Sequence, residues 1–120
     1  MANRAAISLT TGLEDPEKVT VALLVAVGAA EQGRPTVMFL TKEAVRLALQ
    51  GVAIGGACDG CPPLADLLER YTEAGRTLMV CPICFNAKAL DQSQLIDHAQ
   101  LSGTVQLWDW IGDGATTFSY

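Results

Sequence analysis

Two short segments, Thr36–Leu40 (TVMFL) and Thr77–Val80 (TLMV), are apolar behind a leading threonine. A strand with one wet face alternates apolar and polar residues. An unbroken apolar run reads instead as a strand covered on both faces, which is the habit of a parallel sheet flanked by helices. The surrounding segments fit that pattern. Residues 5–10 (AAISLT) form a β-prone run that ends at the turn signal Thr11-Gly12. Asp15-Pro16 reads as the N-cap and first position of a helix, with Glu17 favourable in its first turn. That helix is predicted to reach Gln32 and stop at Gly33. Its core is the longest apolar run, residues 19–30, which is too short to cross a bilayer and reads as a core helix. Thr41 is placed to cap a second helix over 42–50, closed by Gly51. A third helix is predicted over 64–74, with Leu64, Leu67, Leu68 and Tyr71 on one face and Gly75 as its stop. Asp91 and Gln94 suggest a capping box for a fourth helix through Gln100. Thr104–Ile111 fits a strand by propensity or a short helix that buries Val105, Trp108 and Ile111, and residues 115–120 read as a last strand. Strands alternating with helices argue for an α/β fold.

Composition narrows the function. The chain has 120 residues, enough for one domain, and half of them are hydrophobic. Only 18% are charged, so part of the apolar surface is expected to be buried between subunits. Net charge is -5, and the 8 Lys and Arg are scattered. Without a basic stripe, nucleic acid and anionic membranes are disfavoured as partners. Residues 1–6 do not lead into a secretory apolar segment. The expectation is a soluble cytoplasmic protein, where thiols stay reduced and four cysteines serve metal or thiol chemistry over structural disulfides.

The cysteines stand as Cys58-x2-Cys61, nineteen intervening residues, then Cys81-x2-Cys84. Two such pairs meet the spacing of a tetrahedral zinc site, so Cys58, Cys61, Cys81 and Cys84 form a candidate metal clamp. In an α/β unit the start of a helix and the end of the following strand share one sheet edge, so the pairs can meet there. Context favours thiol chemistry at the second pair. Cys81 ends a buried strand and opens toward a helix, where partial positive charge suits a nucleophilic sulfur. Cys84 is then a resolving or handing-on thiol. The chemistry is attack on sulfur, either exchange with a disulfide or acceptance of sulfane sulfur as a persulfide. The plain alternative is that some cysteines are buried small hydrophobes, Cys58 and Cys61 more than Cys81.

The segments LTTGLEDPEK, VMFLTKEAVRLAL, PPLADLLERYTEAG and RTLMVCPICFNAKAL together resemble the DsrE/DsrF-like family, in its short single-domain members. The last segment is the most specific, through its V-C-x-x-C-x-x-A pattern. The resemblance implies a three-layer α/β/α sandwich around a mainly parallel five-stranded sheet. It implies assembly as a homotrimer or homohexamer. It implies a sulfur carrier or sulfurtransferase that accepts sulfur on Cys81 from a donor protein, with Cys84 as the second cysteine, and passes it to an acceptor protein, with no cofactor. It also reads Thr104–Ile111 as a helix and 115–120 as the final strand. The family glycine after the motif is Ala89 here, and the basic residue before it is Lys88. The pair Cys58 and Cys61 has no counterpart in the family pattern and is open to three readings: a metal clamp, a second redox pair or a local elaboration.

Other polar residues carry weaker signals. His98, the only histidine, falls on the predicted fourth helix and reads as a surface or interface residue. Asp59 reads as a turn former between Cys58 and Cys61. Thr10, Thr11 and Gly12 follow the first strand and read as a turn near Cys81. Trp108 and Trp110 read as core or interface residues. No phosphate loop or Ser-His-Asp arrangement is present.

Overall fold

The computed structural model describes residues 3–120. Five strands form one sheet: β1 (Ala5–Leu9), β2 (Thr36–Leu40), β3 (Thr77–Val80), β4 (Ala99–Leu101) and β5 (Thr116–Ser119). Their order is β4-β3-β2-β1-β5, and every pairing is parallel. The helices are α1 (Pro16–Glu31), α2 (Leu64–Glu73), α3 (Pro82–Ala87) and α4 (Thr104–Ile111). The α/β fold expected from the apolar runs is therefore present.

Pleating divides the sheet into two faces. Ile7, Leu9, Met38, Leu40, Leu78 and Val80 point into the main core with α1 and α2, and Phe85 of α3 joins them. Ala6, Val37, Phe39 and Met79 point the other way, against Leu107 and Trp110 of α4. Every residue of β2 is buried, as an unbroken apolar strand requires. Connection handedness explains the layering. From β1 to β4 the chain steps steadily in one direction, so its crossovers stay on one face. The link from β4 to β5 returns across the whole sheet, and a right-handed crossover in that direction must run over the other face. The third layer is thus the single helix α4.

Helix α1 starts as expected: Asp15 accepts from the Lys18 N–H at 3.1 Å, and Pro16 fills the first position. It holds the longest apolar run, and no helix among the described residues is long and apolar enough to cross a membrane.

Four expectations fail. The helix over Thr104–Ile111 forms but does not bury Val105 and Trp108, which are 68% and 70% exposed, because its one inward row is Leu107 and Trp110. The helix predicted over 91–100 does not form. Asp91 accepts from the Ser93 N–H and Oγ at 2.9 and 2.8 Å and caps only a three-residue 3-10 turn, Gln92–Gln94. The chain then extends: the Ile96 N–H donates to the Ala48 carbonyl at 2.8 Å, and residues 99–101 pair with β3. The open edge of β3 offers a hydrogen-bond ladder to Ala99–Leu101, and that tertiary pairing overrides local helix propensity. The helix expected over 42–50 is a 3-10 helix, Lys42–Ala48, and Thr41 makes no side-chain cap. Cys58 and Cys61 are joined in a disulfide, so the four-cysteine metal clamp, one of the alternatives for these residues, does not form.

Candidate functional site

The carboxyl ends of the strands form one edge of the molecule. Leu9, Leu40, Val80 and Leu101 lie at the same level across the sheet. The next residues continue the ladder. The N–H of Thr41 donates to Leu9, that of Cys81 to Leu40 and that of Ser102 to Val80, each at 3.0 Å. Cys81 is therefore flanked by Thr41 and Ser102 on its neighbouring strands. Its backbone is fixed by the sheet on one side and by α3 on the other.

Helix α3 follows at once because Pro82 fits the first helical position, where no N–H is needed. Cys81 is its N-cap, and its carbonyl accepts from the Phe85 N–H at 3.0 Å. Phe85, 1% exposed, anchors the helix in the main core. Cys84 lies one turn along and packs partly against that core, while Cys81 touches both hydrophobic clusters. Both cysteines are free thiols of intermediate burial. Ile83 between them is 81% exposed.

The end of α3 is closed by backbone geometry. The Ala89 N–H donates to the Asn86 carbonyl at 3.0 Å and the Leu90 N–H to the Phe85 carbonyl at 3.3 Å. This is a complete Schellman closure, and Ala89 takes the left-handed conformation it demands, with φ 53°. Charge links this end of α3 to the 3-10 helix Lys42–Ala48. The Glu43 carboxylate lies 2.9 Å from Arg46 Nε and 3.4 Å from Lys88 Nζ. Hydrogen bonds from Arg46, and secondarily Lys88, hold the Glu43 carboxyl below the usual carboxylate range. Gly12 is required nearby, since a Cβ there would stand 2.7 Å from the Glu43 carbonyl oxygen. The Thr10 hydroxyl is engaged, donating to the Tyr120 carbonyl at 3.1 Å. Thr10 to Gly12 thus form a packed extended segment, and the turn read there from sequence falls just beyond, on Leu13–Glu14, with the Asp15 N–H donating to the Gly12 carbonyl at 3.1 Å.

The structure separates the remaining candidates from Cys81. Cys58 and Cys61 are bonded to each other in the loop before α2. Among the described residues no group of three or more His, Cys, Asp or Glu side chains is arranged to hold a metal ion, so the four-cysteine clamp is not assembled. His98 is exposed, with φ 71°, at the amino-terminal end of β4, and its carbonyl accepts from Leu78. It stands at the sheet edge opposite Cys81 and supplies no base there. Trp110 packs beneath Arg4, whose guanidinium lies 5.4 Å from the ring centre and donates to the Trp110 carbonyl, while Trp108 is exposed. Sequence reasoning missed Thr41 and Ser102, since only strand register places them beside Cys81.

The solved structure of YchN from E. coli superposes with a TM-score of 0.81 at 20% identity, covering 100% of both chains. MTH1491 from Methanobacterium thermoautotrophicum, a protein of unknown function, gives 0.69 at 11% identity and 98% coverage of each chain. BT1422 from Bacteroides thetaiotaomicron, a conserved protein of unknown function, gives 0.67 at 14% identity, covering 98% of this chain and 95% of that one. These likenesses establish a shared fold. No curated protein matches the sequence. The model of the DsrE/DsrF-like family matches residues 3–120, which is all of the described structure. The chain belongs to the DsrE/DsrF-like family.

Proposed function

We propose that this protein handles sulfur as a cysteine persulfide, accepting it on Cys81 from a donor protein and passing it to an acceptor protein. The observation that carries the reading is the placement of Cys81. It is a free, partly exposed thiol at the carboxyl end of a buried strand, held by backbone hydrogen bonds on both sides. The Cys81 thiolate attacks the outer sulfur of a donor persulfide, the donor's S–S bond breaks, and the donor leaves as a thiolate. An acceptor thiolate then takes the same sulfur and returns Cys81 to its starting form. Cys84 assists or resolves from one helical turn away, and the exposed Ile83 offers partner proteins an apolar contact.

The proposal extends to assembly. One face of the sheet is covered by a single helix on which Val105 and Trp108 remain 68% and 70% exposed. Burial of that face against further copies, as a homotrimer or homohexamer, accounts for the low charge content.

Mass spectrometry tests the central step. After incubation with a persulfide donor the protein gains about 32 Da, one sulfur atom. The gain persists in Cys84→Ser and disappears in Cys81→Ser. An equal yield in Cys81→Ser removes Cys81 from the role.

A further inference from the structure

The Cys58–Cys61 disulfide lies outside the site built on Cys81 and has chemistry of its own. We propose that it is a second redox site, which takes two electrons from a dithiol by thiol–disulfide exchange, with Thr20 serving the sulfur of Cys58 as it leaves.

The local backbone argues against a purely structural staple. The Cys61 N–H donates to the Cys58 carbonyl at 3.0 Å, and Gly60 supplies the positive φ, 78°, that this turn needs. The turn is therefore closed by the peptide chain itself. A crosslink between residues three apart removes little freedom from the unfolded chain, so it adds little as a clamp. The bond can open and re-form while the backbone holds the two sulfurs near one another. The flanking residues Ala57, Asp59, Gly60, Pro62 and Pro63 are exposed, and both cysteines are only partly buried. Exchange needs such access, because the incoming thiolate must reach one sulfur of the bond.

Thr20 distinguishes the two sulfurs. It is 2% exposed, and its Oγ lies 3.9 Å from Cys58 Sγ. Its hydroxyl donates to the Pro16 carbonyl at 2.8 Å. A hydroxyl carries one proton and rotates to suit its surroundings. The same proton can therefore turn to a thiolate that appears on Cys58. That makes Cys58 the leaving sulfur and Cys61 the one attacked.

The step balances as follows. One thiolate of the dithiol attacks Cys61 Sγ, the Cys58–Cys61 bond breaks, and Cys58 leaves as a thiolate that takes up a proton. The second thiolate of the same dithiol then attacks its own partner sulfur in the mixed disulfide. Cys61 is released as a thiolate and protonated in turn. The dithiol has become a disulfide, and the pair has gained two electrons and two protons. The reverse exchange with a disulfide substrate restores the bond. Thr20 is a positioning residue, since it touches Cys58 and not the substrate.

The test uses the full chain with Cys81→Ser and Cys84→Ser, so that it reads this pair alone and its outcome is independent of persulfide transfer. The protein is equilibrated at graded ratios of reduced to oxidised dithiothreitol, the thiols are alkylated, and adducts are counted by mass. One transition between zero and two adducts is expected, and it is absent when Cys58→Ser is added. Thr20→Val is expected to slow reduction by dithiothreitol threefold or more, and Thr20→Ser to restore the rate. A pair that carries two free thiols at every ratio, or remains bonded in excess dithiothreitol, overturns the proposal. An unchanged reduction rate in Thr20→Val overturns the assignment of Cys58 as the leaving sulfur.

Discussion

Ala89 occupies a left-handed position that favours glycine. The closure of α3 needs φ near 53° at that residue, and a Cβ there crowds the adjacent carbonyl. The strain is compensated by Leu90, which packs against the main core just beyond. Ala89→Gly should therefore raise stability by about 1 kcal/mol, measured as a higher urea midpoint with an unchanged slope. This position was visible in the sequence as a departure from the family pattern, but its backbone angle was not. The same limit applies to the cysteines. Cys81 stood out because it ends an apolar strand. The bond between Cys58 and Cys61 did not, because a C-x2-C pair has the same spacing whether it binds zinc or closes on itself. What decides is whether the loop before α2 brings the pair to Cys81, and spacing carries no information on that.

Among the elements, α3 is the one on which the site depends. Six residues form too short a helix to persist alone, so it is held by Phe85 in the core and by the N-cap at Cys81. Phe85→Ala should cost about 3–5 kcal/mol in urea unfolding, as large buried aromatics do. If α3 is anchored as described, alkylation of Cys84 in the folded state should also become faster. An alkylation rate equal to the parent's would mean that Phe85 fills volume without holding the helix. The elements were unevenly legible. Buried strands and α1 declared themselves through unbroken apolar runs and a clear N-cap. The segment 91–100 did not. Its Asp91 cap is real, but the pairing of Ala99–Leu101 depends on an edge that only the assembled sheet presents. The register that sets Thr41 and Ser102 beside Cys81 is equally non-local.

At the scale of the molecule, the return of the chain from β4 to β5 governs the surface. It spends the third layer on one eight-residue helix with no fully buried residue. The proposed assembly follows from this thin cover. Sedimentation should give three or six times the chain mass of 12.7 kDa. Trp108→Glu, which places a charge on that face, should shift the protein toward the single-chain mass, and an unchanged distribution would place the contact elsewhere. The same return has a practical consequence at the chain's last residue. Tyr120 is laced into the carboxyl edge through Ser8 and Thr10, so anything fused after it emerges on the side of the molecule that carries Cys81. The separation is three strand spacings, about 14 Å. A purification handle placed there would share the approach route of any incoming partner. A handle before Ala5, where β1 begins, would leave from the far side.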